Sequence, residues 1–405
     1  MKVSDTVLGL MSETPISFDG ERYLHSPNEG IYIDGLAQRF KKVIIYTYAF
    51  RKGDDDYANT AAYRFTQSNI EIVELPLARP GGLYKLRKVW QLLVAFWVIV
   101  ARRQEWDVAY TFIPGYNGAF AALAFRVLRR PYFLYLASDW PEEAALLIPF
   151  KGALKKPLVP LFRSLVAFLQ DASIRGALFT LTAGTDLCER YVARGFANIH
   201  ETIPRLTWSH YTLYPRQDSC EGPVVTLLFV ANLIERKGGT YVLSALKELR
   251  QITGINFRCV IVGWGAAEEG MRAQVKADGL ESHVEFCGHM AGAGLTEKFR
   301  QADIFLFASF SGEGFPRVLY EAMSQGLPIV STDICGIDRK LGNEKEVLFV
   351  PPQDAHAIAQ AVLRIVQDQA LRKTLIANGM GFMQRMFDNP KGDQQVATLY
   401  ERIAR

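Results

Sequence analysis

Glu313 and Glu321 are the two residues whose type and setting most suggest chemistry. Ile304 to Ala308, just before them, is a short apolar run that predicts a buried parallel strand. A Gly-containing loop follows, and Pro316 suits a first helical turn, where its missing N–H costs nothing. Val318, Leu319, Ala322 and Met323 recur at helical spacing, Gly326-Leu327-Pro328 closes the helix, and Ile329 to Thr332 predicts the next strand. A helix start after such a loop offers free N–H groups and positive dipole to an anion such as a diphosphate. Two carboxylates there would repel phosphate itself. They fit as acceptors for the hydroxyls of a sugar and a ribose. On spacing alone they fit equally well as a solvated loop acid and an ordinary helix-surface acid.

Three further stretches offer polar groups at predicted strand ends. Asn232, Arg236 and Lys237 precede Gly238-Gly239 at the start of a predicted helix. Charge and close backbone approach there suit phosphate, and the same residues also make an ordinary basic turn. Gly263-Trp264-Gly265 invites a dinucleotide-binding reading. Glu268 stands where the third glycine belongs, so the fingerprint is incomplete and a plain structural turn competes with a ligand role. Ser138-Asp139-Trp140-Pro141 lies at a predicted strand end, where ligands meet such sheets, and Asp139 there also suits a helix N-cap. The six histidines show no metal-ligand spacing. No motif calls for a cofactor or a metal.

The words around Glu313 and Glu321 resemble the E-x7-E motif of retaining nucleotide-sugar glycosyltransferases of the GT-B fold, family 4 (glycosyl transferases group 1). Ala302-Asp303-Ile304-Phe305, Glu313-Gly314-Phe315-Pro316 and Glu321-Ala322-Met323-Ser324-Gln325-Gly326-Leu327-Pro328 are similar to that family's text. The resemblance implies a donor site built from Asn232, Arg236, Lys237, Gly263, Gly265, Glu313, Gly314, Phe315, Pro316, Arg317 and Glu321. It implies that Glu321 holds the ribose, that Glu313 contacts the sugar, and that Lys237 meets the diphosphate. Ala231 and Asn232 replace the family's usual Gly and Arg. Asp139 occupies the neighbourhood where many members carry a rim histidine. Glu313, Lys237 and Asp139 are thus the expected catalytic set, with metal-independent transfer to a glycan or polyprenyl-linked acceptor in surface polysaccharide synthesis. A non-catalytic partner in glycan assembly that keeps the fold is the alternative.

The elements that position these residues form two alternating series. Strands at Val43–Tyr48, Ile70–Leu75, Asp107–Ile113, Tyr132–Ala137 and Leu178–Ala183 are separated mostly by helical patterns. A polar connection is expected between Ser12 and Gly30. Strands at 224–231, 258–262, 284–287, 304–308, 329–332 and 347–350 make the second series. Both read as α/β, doubly wound parallel sheets whose ligands meet the carboxyl ends of the strands. The expected division is an acceptor-binding domain over 1–210, a linker over 211–223 and a nucleotide-sugar domain over 224–388. A C-terminal helix over 389–405 completes the chain, and in the family this helix often crosses back to the first domain. The resemblance further implies that the two domains face each other across a cleft.

At 405 residues, about half apolar and with a formal charge of +4, the chain can bury sizeable cores. The five cysteines lack zinc or redox spacing and read as buried thiols in a reducing compartment. Residues 1–6 lack a signal-peptide core, and the longest apolar run, Val89 to Ala101, is too short to span a bilayer. The expected location is the cytoplasm. Residues 81–170 hold twelve Lys or Arg against five acids, net +7, among dense apolar residues. This belt reads as an amphipathic surface for the inner face of a membrane, or as core helices with basic ends. Nucleic acid is not expected, since the charge lacks an aromatic stacking platform.

Overall fold

The computed structural model describes the chain except residues 1, 13, 55–62, 78–83, 142–154, 203–211, 253–254, 312–315, 335, 389–397 and 405. Two compact units divide it: Met1–Thr207 together with Lys391–Arg405, and Trp208–Pro390.

In the first unit the parallel strands are β1 (Val7–Met11), β4 (Lys42–Arg51), β6 (Ile70–Leu75), β7 (Val108–Ile113), β8 (Tyr132–Leu136), β9 (Thr180–Ala183) and β10 (Ile199–Thr202). Strands β10-β9-β8-β7-β1-β4 run side by side, and β6 adds to β4. The order reverses between β1 and β7. Strands β7 and β8 are buried at every position, which is why they read as continuous apolar runs. Helices α2 (Tyr84–Ala101), α3 (Tyr116–Val127), α4 (Lys155–Gly176) and α5 (Thr185–Ala193) send buried residues into one core with the sheet, among them Ile99, Phe125, Val166 and Leu187. Helix α1 (Pro27–Ala37) helps fill a second core, and Leu399 and Tyr400 of the final helical segment belong to it. The Tyr400 ring meets Phe40, Phe133 and Phe179.

The expected polar connection between Ser12 and Gly30 is instead a hairpin. Strand β2 (Ile16–Phe18) lies parallel to the far end of β4, β3 (Tyr23–His25) returns antiparallel to it, and β5 (Tyr63–Arg64) pairs with β3. Asp19 closes the turn by accepting the N–H groups of Glu21 and Arg22 at 2.9 and 2.7 Å. Strands of two or three residues are too short for a period-2 pattern to register. β10, whose four residues hold one apolar side chain and one fully buried position, offers no apolar run and escaped the sequence too.

The second unit holds β11 (Val225–Val230), β12 (Phe257–Val262), β13 (Val284–Phe286), β14 (Ile304–Phe307), β15 (Ile329–Thr332) and β16 (Leu348–Val350). All are parallel in the order β13-β12-β11-β14-β15-β16, so the order reverses between β11 and β14. Around the sheet lie α6 (Gly239–Gln251), α7 (Glu268–Ala277), α8 (Gly292–Gln301), α9 (Arg317–Ser324), α10 (Ala355–Gln367) and α11 (Gln369–Phe387). Asp354 and Asp368 cap α10 and α11 by accepting the N–H groups of Ala357 and Leu371, each at 2.9 Å.

Residues 212–220 are laid onto this unit by hydrogen bonds. The Tyr214 N–H donates to Ser324, Gln325 donates to Thr212, and the Cys220 and Thr226 N–H groups converge on the Asp303 carboxylate at 2.8 Å each. Asp218 meets Arg372 at 2.7 Å, both almost wholly buried, and Arg372 also donates to the carbonyls of Ile365 and Val366. Of the four described cysteines, none is bonded to another and only Cys259 is fully buried, so the thiols are less enclosed than expected. Among the described residues no helix is long and apolar enough to cross a membrane.

Candidate nucleotide-sugar site

In an open parallel sheet the crevice outside the carboxyl ends of the strands, where the order reverses, is the natural ligand site. In the second unit that point lies between β11 and β14. Two loops emerge there and are tied together. The Phe310 N–H donates to the Arg236 carbonyl at 2.9 Å, and the Arg236 guanidinium donates to the Ser311 carbonyl at 3.1 Å. Gly238, at φ +74°, lets the first loop come against the second: a Cβ there would sit 2.0 Å from the Ala308 carbonyl oxygen. Below them Thr332 donates its hydroxyl to the Ser309 carbonyl at 2.6 Å, anchoring the second loop to β15.

Asn232, Arg236 and Lys237 all lie on the first loop. Asn232 is exposed, and its side chain makes no hydrogen bond among the described residues. Arg236 clamps the two loops. Lys237 is half-buried and closes a 3-10 turn directly before α6. Helix α6 starts at Gly239 with Gly238 as N-cap, so a long helix points its positive end at this edge.

Gly263 and Gly265 follow β12 and stack that loop on the first. Cβ atoms there would fall 1.8 Å from the Ala231 oxygen and 2.4 Å from the Leu233 oxygen. Leu233 donates to the Trp264 carbonyl at 2.8 Å, and Ala267 donates to Leu233 at 2.7 Å. The glycines are therefore needed for backbone approach. Trp264 between them is 50% exposed on the same edge.

Past the second loop, Pro316 is buried and is the N-cap of α9, one position earlier than the first helical turn. Arg317 opens the helix and Glu321 follows one turn later. Glu321 is half-buried, and its carboxylate accepts no hydrogen bond among the described residues. Burial pushes its carboxyl up from the ordinary range, and Arg317 draws it partly back. A carboxylate without donors among the described residues has lone pairs to offer a ligand hydroxyl. Glu313, Gly314 and Phe315 lie outside the described residues.

Asp139 belongs to the first unit, at the carboxyl end of β8. Its carboxylate accepts from Gln170 at 2.9 Å, Arg190 at 3.1 Å and Tyr191 at 3.2 Å. Gln170 in turn accepts the Trp140 N–H at 3.1 Å and bonds the Tyr191 hydroxyl. This network joins the β8 loop to α4 and α5. Its members are some thirty to fifty residues apart in sequence, so the sequence held no signal for it. Thr332 under the second loop was missed for the same reason. One acidic run, Asp54-Asp55-Asp56, has the Asp-x-Asp spacing used to hold metal-bound nucleotides. Asp54 there accepts the Arg51 N–H at 2.6 Å in a turn, and the other two lie outside the described residues.

Residues 219–381 match the family model for glycosyl transferases group 1. A phosphatidyl-myo-inositol mannosyltransferase of Mycobacterium leprae is 33% identical over 180 residues, 44% of this chain and 47% of the relative. The amylovoran biosynthesis glycosyltransferase AmsK of Erwinia amylovora is 30% identical over 183 residues, 44% and 45% of the two chains. The chain spans about half the length of the curated relatives it matches. Among solved structures, a sucrose-phosphate synthase from Thermosynechococcus elongatus superposes with TM-score 0.72 at 19% identity, covering 98% and 99% of the two chains. Anabaena HepE, in complex with UDP and glucose, gives 0.68 at 16% identity over 97% and 98%. The match to glycosyl transferases group 1 thus falls within the second unit, and the chain has the fold of GT-B glycosyltransferases, two Rossmann-like units each built on a parallel sheet.

Proposed function

We propose that this protein is a retaining, metal-independent glycosyltransferase. It moves a sugar from a nucleotide-diphosphate donor to a glycan or lipid-linked acceptor during surface-polysaccharide or glycolipid synthesis. The observation that carries the reading is the joining of the Asn232–Gly238 loop to the Ser309–Ser311 loop at the β11/β14 reversal, next to a half-buried carboxylate without donors among the described residues. The M. leprae relative, named for a lipid acceptor, supports the acceptor class.

The roles follow from chemistry. Glu321 accepts the ribose hydroxyls. Lys237, the α6 N-terminus and Asn232 stabilise the departing diphosphate, and the sequence resemblance gives the N–H groups of Gly314 and Phe315 the same role. Glu313 steadies positive charge at the anomeric carbon. The bond from that carbon to the phosphate oxygen breaks, the acceptor oxygen bonds the same face, and the leaving phosphate takes the acceptor proton. Asp139, already engaged by three donors, holds the β8 loop in shape for the acceptor and is a positioning residue. The enzyme works on the cytoplasmic side, peripheral to the membrane.

The test is incubation with UDP- and GDP-hexoses and a polyprenyl-phosphate sugar acceptor, with and without EDTA. The reading expects acceptor-dependent release of one nucleoside diphosphate, insensitive to EDTA, and a product whose anomeric configuration matches the donor by NMR. Inversion, or release abolished by EDTA, contradicts the mechanism. Binding of a nucleotide sugar without transfer to any acceptor favours a non-catalytic assembly partner, for which Asn232 in place of Arg is the supporting feature.

A further inference from the structure

We propose that the outer face of the α2–α3–α4 layer docks on an anionic lipid bilayer. This deepens the peripheral placement of the enzyme but needs no sugar transfer, so the two readings fail independently.

Single exposed apolar residues are ordinary on a protein surface, and clusters are not. Nine of the thirteen exposed large apolar residues found among the described residues lie on these three helices. On α2 they are Trp90, Leu93 and Trp97; on α3, Phe120, Leu123 and Val127; on α4, Leu161, Leu165 and Phe168. Each trio recurs at i, i+3 or i+4, and i+7, which makes one stripe per helix. The opposite sides of the same helices, with Ala95 and Ile99, Ala122 and Phe125, Val166 and Ile174, enter the sheet core. Helix α3 packs against both α2 and α4. The three stripes therefore lie side by side and point away from the sheet. Trp97 and Phe168 are 66% and 69% exposed, which no core role explains.

Charge selects the occupant. The three helices contain eight Lys or Arg and a single acid, Asp171, which is paired with Arg194. Arg126 and Arg163 are exposed beside the stripes. A second copy of the chain would bring two such basic faces together, whereas an anionic headgroup layer complements them. Tryptophans at the edge of an apolar face suit the headgroup boundary. Among the described residues no helix is both long and apolar enough to span, and one apolar stripe per helix suits a layer that lies on the surface.

The experiment is co-sedimentation of the full chain with phosphatidylcholine vesicles and with equal mixtures of phosphatidylcholine and phosphatidylglycerol. Binding to the mixed vesicles alone is expected, weakened by salt. Arg126→Ser and Arg163→Ser should each lower partitioning about fivefold. Brominated lipid should quench tryptophan fluorescence, and a W90F/W97F variant, which keeps the face apolar, should lose that quenching while still binding. Absence of binding to mixed vesicles, or quenching unchanged in W90F/W97F, overturns the proposal. Self-association abolished by Trp97→Glu, without vesicle binding, overturns it in favour of a second copy.

Discussion

Gly238→Ala tests whether the two loops at the β11/β14 reversal must touch. Gly238 sits at φ +74°, where an L-residue costs about 1 kcal/mol or more. An added Cβ would stand 2.0 Å from the Ala308 carbonyl oxygen, where real Cβ atoms essentially never approach below 3.0 Å. The neighbour is backbone at the end of a strand, so no side chain can swing aside. The loops must part by about 1 Å, which breaks the bond from Phe310 to Arg236 and strains that from Arg236 to Ser311. At about 1 kcal/mol for each bond, the total is about 3 kcal/mol. For a unit of this size that lowers Tm by about 6–12 °C. Differential scanning calorimetry with urea titration reads the stability, and nucleotide titration reads the site. Gly270→Ala is the control: a Cβ there meets nothing within 4 Å, and the helix should gain up to about 1 kcal/mol. A Gly238→Ala protein within a degree of wild type, with unchanged nucleotide affinity, would refute the reasoning.

Glu321→Gln should raise stability at pH 7 by about 1 kcal/mol, because a carboxylate that burial penalises becomes neutral. The sign follows from its raised folded value. Below about pH 4.5 the carboxyl is protonated in both states, and the penalty appears only as pH rises through the unfolded and then the folded value. Thermal melts of wild type and variant should therefore converge in acid; a gap independent of pH would count against a strained carboxylate. Arg372→Met should cost about 3–5 kcal/mol in denaturant unfolding, since it strands the buried Asp218 carboxylate. Burial alone would raise that carboxyl, but Arg372, Gln369 and the Ser219 N–H outweigh it and hold it low. Its share of stability is thus present above about pH 3.8 and is lost as pH falls through the depressed folded value. Asp139→Asn should lower Tm by a few degrees, equivalent to about 1–2 kcal/mol, and leave nucleotide affinity alone. Weakened nucleotide binding in that variant would remove it from a positioning role.

Much of the second unit was legible because its strands are buried on both faces and read as apolar runs, with Gly and Pro marking the loops between them. The start of α9 could be read from Pro316, and the glycines at 238, 263 and 265 from their places just past strands. Their purpose could not be read. Gly263 and Gly265 resemble a nucleotide fingerprint in the sequence, but the backbone oxygens of Ala231 and Leu233 are what exclude a Cβ. Arg236 reads as a phosphate ligand in the sequence, and its bond to the Ser311 carbonyl, which ties the two loops, left no trace there. Asp139 read as a catalytic candidate or a helix N-cap, and its partners Gln170, Arg190 and Tyr191, which come from α4 and α5, could not be read. The basic, apolar belt offered core or surface as alternatives. The helices answer with both, one side in the core and the other exposed.

The measurement that bears most directly on the central claim is calorimetric titration of the protein with UDP and GDP. Lys237→Ala and Glu321→Ala are compared with wild type. The account predicts saturable binding of one of the two nucleotides, weakened about tenfold or more by each substitution, through loss of a charge-assisted contact or of the ribose acceptor. Asp139→Asn should bind as wild type does. Absence of binding to either nucleotide, or binding that neither Lys237→Ala nor Glu321→Ala alters, would contradict a donor site at the β11/β14 reversal.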